Sequence, residues 1–262
     1  MSQAAADAPR FRSLIPQRPP HETLSAQEAL SEWAAERSEG LRVALNMIAS
    51  VDGRIAVGGR SAPLGGPADR ALFHALRARA DAVMAAAGTV RAERYGPIIR
   101  DPRVRELRVE RGLSAQPIAV IPSRRLDLDP ALPLLADSES RVVILTPTLG
   151  DLPPCAAEVD YIRTATLRAG LTELGARYGV RLIVCEGGPS LNGTLAIESL
   201  IDELFLSISP LLVGEVPDGG ALLSGGAPPE PLALELRMLL EHQSQLYAHY
   251  VSRSGPPSPS RG

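Results

Sequence analysis

The chain has 262 residues, a formal charge of −3, and an ordinary globular balance of 45% hydrophobic and 22% charged residues. Every positive side chain other than histidine is arginine, which excludes a P-loop, a pyridoxal Schiff base and lysine-aldolase chemistry. The mild acidity argues against nucleic acid as the main partner, and no apolar run is long enough to span a bilayer.

The histidines (His21, His74, His242, His249) and cysteines (Cys155, Cys185) lie far apart. None has zinc-ligand spacing, so no metal site and no disulfide framework are expected. No signal peptide is visible, so the expected location is the cytoplasm.

Residues 1–40 read as an N-terminal extension that is loose at first. It then carries one helix from Ser25, where Ser25 and Glu28 make a capping box, with Leu30 and Trp33 on one face. Leu41–Ala49 reads as a buried strand, Asp52–Gly53 as a turn, and Arg54–Val57 as a short returning strand. Pro67–Ala80 is a helix with proline in its first turn. Asp81–Ala86 is a strand and Thr89–Arg94 a short helix. The charged segment Asp101–Arg111 reads as a solvated helix.

Strands follow at Pro117–Ile121, Arg141–Thr146 and Val159–Arg163, then a helix at Ala169–Tyr178 and a buried strand at Arg181–Cys185. Pro189–Ser199 is a helix and Asp202–Ser209 a strand. Gly214–Pro231 is a long loop. Leu232–Leu240 and Ser244–Ser252 form a closing hairpin, and the tail 254–262 is expected to be disordered. The pattern is α/β: alternating strands and helices imply a mostly parallel sheet covered on both faces, over a domain spanning 41–253. Ligands in such folds bind beyond the C-terminal ends of the strands.

Two strand-to-helix joints stand there. In RLIVCEGGPSLNG a strand runs to Glu186, Gly187 and Gly188 make the turn, and Pro189 opens a helix. Bare backbone and free helix-start amides suit an anion such as a pyrophosphate, although a tight turn with no ligand explains the same residues. Ala86-Ala87-Gly88-Thr89 repeats the arrangement, with Thr89 as a cap or a phosphate ligand. Together the joints fit a dinucleotide lying across strand ends. The Asp52-Gly53 turn needs no catalytic explanation. Arg77 and Arg100 are candidate phosphate ligands or plain surface charges.

The series ASVDGRIA, a serine after a Gly-rich loop, DRALFHALRARADAV, GTV-x-x-E, EGGPSLNG and DELFLSISPLLVG resembles the pyrimidine reductase of riboflavin biosynthesis, from about Leu41 to Val251. The resemblance implies a three-layer dihydrofolate reductase-like fold: a mostly parallel central sheet, helices on both faces and an antiparallel C-terminal hairpin. It implies a homodimer that uses NADPH to reduce the ribosylamino group of a phosphorylated aminopyrimidine. By matched position, Ala49, Thr89, Glu93, Gly187, Gly188, Pro189, Ser190, Leu191, Asn192 and Gly193 would hold the cofactor. Ser123, with Arg124 or Arg125, would meet its 2′-phosphate. Asn46, Ser61, Arg77, Arg100 and Glu186 would hold the substrate, with the arginines on its phosphate and Glu186 on the pyrimidine or ribose.

The chain departs from that pattern at Asn46, where many fused reductases carry lysine. It departs again at Ala85-Ala86-Ala87, at Glu93, and at Arg94-Tyr95-Gly96-Pro97. Two other readings compete: a reductase of another substrate such as dihydrofolate, for which Asp69 is the only acid on the first crossover helix, and a nucleotide-binding protein without turnover.

Overall fold

The computed structural model describes residues 8–19, 21–31, 33, 40–215 and 220–253. One sheet of 11 strands organises them, in the order β2-β1-β10-β11-β9-β3-β8-β4-β5-β6-β7. The parallel part is β9 (Glu203–Ser209), β3 (Arg42–Ser50), β8 (Leu182–Cys185), β4 (Ala82–Met84), β5 (Ile118–Pro122), β6 (Arg141–Thr146) and β7 (Glu158–Arg163). The antiparallel flank is β11 (Gln245–Ser252), β10 (Leu234–His242), β1 (Phe11–Ile15) and β2 (Thr23–Leu24).

Alternation along the strands splits the core in two. Ala44, Val184 and Phe205 face one cluster, into which the helix α2 (Pro67–Arg77) sends Ala68, Leu72, Ala75 and Leu76. Val43, Leu45, Ile183 and Cys185 face the other, covered by α5 (Leu167–Tyr178) and α6 (Pro189–Ile197). This is the expected three-layer architecture, closed by the C-terminal hairpin.

The turns that aim the strands follow from local chemistry. Gly179 ends α5 at φ 68°, a left-handed C-cap that favours glycine. Asp81 then accepts the Arg181 and Leu182 amides at 2.9 Å each and fixes the start of β8. Arg108, on α4 (Pro102–Glu110), is 1% exposed and donates to the carbonyls of Arg77 and Ala80 at 3.1 and 2.9 Å. Its charge therefore sits at the C-terminus of α2, where the helix dipole favours a cation. Burial lowers its pKa to about 10, so it stays protonated at neutral pH.

Three expectations need correction. The stretch around Phe11 is not loose: Phe11 is 0% exposed, and β1 pairs with β10, covering the edge of the sheet, while residues 1–7 lie outside the described residues. The sequence hides this because the strand is short and sits in a polar, proline-rich context. The N-terminal extension thus supplies two strands besides its helix α1 (Ala26–Ala29), which does carry the Ser25–Glu28 capping box. That helix ends at Ala29 with Leu30 as its C-cap, so Leu30 and Trp33, expected on one helical face, lie beyond its end, and the rest of the expected run, 34–39, lies outside the described residues. Arg54–Val57 forms no strand beyond an isolated bridge from Val57 to Arg60. Ser50 closes that turn instead, accepting the Arg54 amide on Oγ. The expected disordered tail, 254–262, lies outside the described residues.

Candidate active site

The two joints are neighbours. β4 and β8 are adjacent, and the Ala86 amide donates to the Gly187 carbonyl at 2.7 Å. A Cβ on Gly188 would stand 2.9 Å from Thr89 Oγ1, so one joint's glycine abuts the other's hydroxyl. Gly187 has φ 83°, a conformation L side chains rarely adopt. Neither α6 nor α3 (Ala87–Ala92) has a side-chain cap on its N-terminus. The first-turn amides of α6 therefore keep their capacity for an anion.

Asn192 is 0% exposed and donates to the Leu222 carbonyl at 2.9 Å. Its Oδ1 has no hydrogen-bond partner among the described residues and lies 3.5 Å from where a Cβ on Gly187 would sit. A buried orphan acceptor beside a bare glycine fits a ligand amide or hydroxyl. Met47 Sδ stands on the same spot, 3.4 Å from that Cβ position, and Ala49 follows Met47 on the same face of β3. These residues fit a dinucleotide.

Not all of EGGPSLNG turns that way. Leu191 is buried in the core under α6. A Cβ on Gly193 would collide with the Ser224 carbonyl oxygen. Ser224 also donates its amide to the Pro189 carbonyl at 3.0 Å and meets Ser190 Oγ at 3.3 Å. Gly193 is thus needed for the loop that lies on α6. Glu93 is the C-cap of α3, one turn from Thr89.

Ser123 differs from expectation too. It is 7% exposed, and its Oγ accepts the Leu126 amide at 3.1 Å, so it shapes the turn after β5. Arg124 and Arg125 beside it are exposed.

The opposite face of the same strand ends carries a closed ionic cluster. Arg77 donates Nε and Nη2 to the two Glu186 oxygens, at 2.7 Å each, and Nη1 to the Ile98 carbonyl at 3.3 Å. Tyr95 donates its hydroxyl to Glu186 Oε2 at 2.6 Å. The Arg77 and Glu186 side chains are 10% and 3% exposed, and Arg77 lies 4.1 Å above the Phe73 ring. Burial alone would lower the Arg77 pKa, but Glu186 outweighs it and the net direction is upward. Burial, then the Glu186 charge, holds the Tyr95 phenol well above its ordinary value, so it remains a donor.

Arg77 thus has its Nε and Nη2 donors engaged by Glu186 and Nη1 by the Ile98 carbonyl, not left free for a phosphate as expected. Glu186 spends both oxygens inside the protein. Arg100 remains exposed, with Nη2 3.3 Å from a Cβ placed on Gly96, and shares the electrostatic surroundings of His74 with Arg70 and Arg77. Burial and Arg77 lower the His74 pKa. Ser61 is exposed in the loop before α2, its carbonyl accepting the Leu64 amide at 2.9 Å. Continuing the β3–β8 register past Leu45 and Cys185 sets Asn46 beside Glu186.

Asp52 is a latch, consistent with its non-catalytic reading. It accepts from Ser50 Oγ and from the Val213 and Gly214 amides, which ties the β3 turn to the loop after β9. Those hydrogen bonds, Ser50 first, lower its pKa to about 2. Sequence reasoning missed Tyr95 and Phe73 as parts of the site. The i, i+4 spacing of Phe73 and Arg77 could have flagged Phe73. Among the described residues no cluster of His, Cys, Asp and Glu could hold a metal, and no helix is long and apolar enough to cross a membrane.

The 2,5-diamino-6-ribosylamino-4(3H)-pyrimidinone 5′-phosphate reductase of Methanothermobacter thermautotrophicus is 28% identical over 179 residues, which is 66% of this chain and 79% of that one. The riboflavin biosynthesis protein RibD of Mycobacterium tuberculosis is 30% identical over 188 residues, covering 71% of this chain and 47% of that protein. A pyrimidine reductase-like protein from Corynebacterium diphtheriae shares the fold, with a TM-score of 0.76 at 23% identity, over 88% of this chain and 100% of that one. The RibD C-terminal domain pattern matches residues 42–247, nearly the whole parallel sheet and its hairpin, and the chain belongs to that family.

Proposed function

We propose that the chain is an NADPH-dependent reductase of riboflavin biosynthesis. It converts the ribosylamino group of a phosphorylated aminopyrimidine into a ribitylamino group. The observation that carries this reading is the joining of the two strand-to-helix joints through Ala86 and Gly187, with the Arg77–Glu186–Tyr95 cluster on the other face of the same strand ends. The relatives named as reductases of such a pyrimidine phosphate support it.

When bound, NADPH supplies the hydride. The chain's own work is orientation and exclusion of water. The α6 start, Gly188 and Thr89 hold the pyrophosphate, while Met47, Ala49 and Asn192 border the nicotinamide. Arg124 and Arg125 supply positive charge for the 2′-phosphate in place of Ser123. Glu186, fixed by two guanidinium bonds and one phenol bond, forms a rigid wall of the substrate side. Arg100, with Arg70 nearby, meets the substrate phosphate, and Ser61 stands at the mouth.

The test is consumption of NADPH with 2,5-diamino-6-ribosylamino-4(3H)-pyrimidinone 5′-phosphate and with its deaminated counterpart, with dihydrofolate as control. Turnover of a pyrimidine is expected. Turnover of neither, with nucleotide binding intact, leaves the chain a binding protein. Equal use of NADH sinks the 2′-phosphate assignment. The homodimer and the cytoplasmic location belong to the same proposal, and a monomer by light scattering at micromolar concentration removes the dimer.

A further inference from the structure

The N-terminal extension lies outside the family pattern, which begins at residue 42, yet its described part is fastened to the domain at three separate places. β1 pairs with β10 and buries Phe11. Trp33 donates its indole Nε1 to Glu203 Oε2 at 2.6 Å, and its ring meets Phe205 edge-on at 4.9 Å. Glu203 is 3% exposed, with Arg42 Nη1 donating to its Oε1 at 2.9 Å and His249 Nε2 at 2.6 Å from its Oε2. The His249 ring is stacked on Phe205. The indole therefore closes a socket built by β3, β9 and β11. The third fastening is Gln27 of α1, whose side-chain and backbone oxygens accept from Arg79 Nη1 and Nη2 at 2.6 and 2.8 Å.

That third fastening reaches the helix that carries Arg77. Arg79 follows α2, and its Nη1 also donates to the Ala75 carbonyl at 3.0 Å. Arg108 takes the carbonyls of Arg77 and Ala80. The last turn of α2 thus has two arginine caps, one anchored on α4 and the other on the extension. Between the fastenings, Ala26 and Leu30 are buried in the same cluster as Ala68, Leu72, Ala75 and Leu76 of α2. The extension therefore grips α2 along its side as well as at its end. Any shift of α2 that moved Arg77 would have to break the Gln27–Arg79 bonds or carry the extension with it, and the socket of Trp33 opposes the second. No hydrogen bond among the described residues ties residues 8–33 to α3 or α6, which bear the nucleotide joints.

We infer that the extension is a strap and Gln27 its positioning residue: docked by Trp33, it holds the last turn of α2, and through Arg77 the Glu186 carboxylate, in the geometry that receives the pyrimidine. The inference rests on the reductase reading above. The strap acts on the pyrimidine side and not on the nucleotide, because α2 and not α3 or α6 is what it grips. The coupling is reciprocal: if the docked strap favours pyrimidine binding, bound pyrimidine tightens the docking of Trp33 by the same factor.

The experiment uses the full chain and two readouts. Trp33 is its one tryptophan, so time-resolved acrylamide quenching reports the docking of the strap. The diamino pyrimidinone phosphate should lower the quenching constant, whereas NADP+ should leave it unchanged. In steady-state kinetics, Gln27→Ala should raise KM for the pyrimidine by about fivefold or more, with kcat and KM for NADPH within about twofold of wild type. Gln27→Glu keeps an acceptor for Arg79 and should restore the wild-type KM. Trp33→Phe keeps an aromatic ring for Phe205, loses the bond to Glu203, and should raise the same KM. A purely structural role would lower the melting temperature without this split, since KM does not depend on how much of the protein is folded. A pyrimidine KM unchanged in both Gln27→Ala and Trp33→Phe, or raised equally with that for NADPH, overturns the inference and leaves the reductase reading intact. Quenching that the pyrimidine does not alter overturns it too. Turnover of no pyrimidine by the wild type sinks the reductase reading and the inference with it.

Discussion

Replacing Arg77 by methionine tests the central feature of the site. The variant leaves the Glu186 carboxylate, 3% exposed, with only the Tyr95 hydroxyl. Breaking a buried pair by removing one partner costs about 3–5 kcal/mol, because the remaining charge loses its compensation. Tyr95→Phe removes one hydrogen bond to the same anion, with no change of shape. It should cost about 1.5–3 kcal/mol. The double variant Arg77→Met, Glu186→Leu replaces the pair by apolar groups of similar volume and should be more stable than Arg77→Met alone. Urea unfolding of the four proteins measures these terms. At about 2–4 °C per kcal/mol for a chain of this size class, Arg77→Met should also melt roughly 6–20 °C lower. Since Arg77 holds Glu186 rather than phosphate, the variant should impair phosphorylated and dephosphorylated substrate alike, whereas Arg100→Ala should spare the dephosphorylated one. An Arg77→Met cost below about 1 kcal/mol, or a selective loss of the phosphorylated substrate, refutes the closed pair.

Four further outcomes follow from the same geometry. Asp52 has its pKa lowered from 3.8 to about 2, so its contribution is present above the unfolded value and lost as pH falls from about 4 towards 2. Hydrogen exchange at the Val213 and Gly214 amides should accelerate over that window in the wild type, but be fast at all pH in Asp52→Ala. Gly193→Ala forces a Cβ against the Ser224 carbonyl, and overpacking of this kind costs about 1–3 kcal/mol. It should also free the 220–226 loop to limited proteolysis. Phe11→Ala removes a side chain that is 0% exposed and packs edge-on against Tyr247 at 5.2 Å, so chemical denaturation should show a loss of about 3–5 kcal/mol. Asn46→Lys brings a second cation to a carboxylate that Arg77 already neutralises, so kcat/KM should fall; a gain of about tenfold would mean that Glu186 is short of positive charge.

The centre of the parallel sheet was legible because its strands are short apolar runs beside helix signals, as in Leu182–Cys185 between Gly179 and Pro189. The joints were legible because glycine and proline mark where backbone is exposed or redirected. What stayed hidden depends on pairing across the chain. Nothing local in FRSLI says that β10 offers it an edge. Arg77 and Glu186 are 109 residues apart, so each reads singly as a ligand for substrate, and only folding shows that they satisfy each other. Ser123 reads as a hydroxyl beside two arginines, although its turn, with Leu126 at φ 52°, uses it internally.

The division of labour at the strand ends comes from β3. Successive side chains of a strand point to opposite faces, so Asn46 and Ile48 address the α2 side while Met47 and Ala49 address the α6 side. Under the proposed function a single strand borders both ligands, which must meet beyond its C-terminal end for hydride to pass between them. A one-residue slip of register would exchange the two sets, putting Met47 against the ionic cluster and Asn46 against Gly187. The structure opposes such a slip at both ends of the strand. Asp202 accepts the Val43 amide at 2.8 Å, and the latch of Asp52 on Val213 and Gly214 closes the other end. The Asp52 turn, which carries no chemistry of its own, thus helps to fix which face of the sheet each β3 side chain meets.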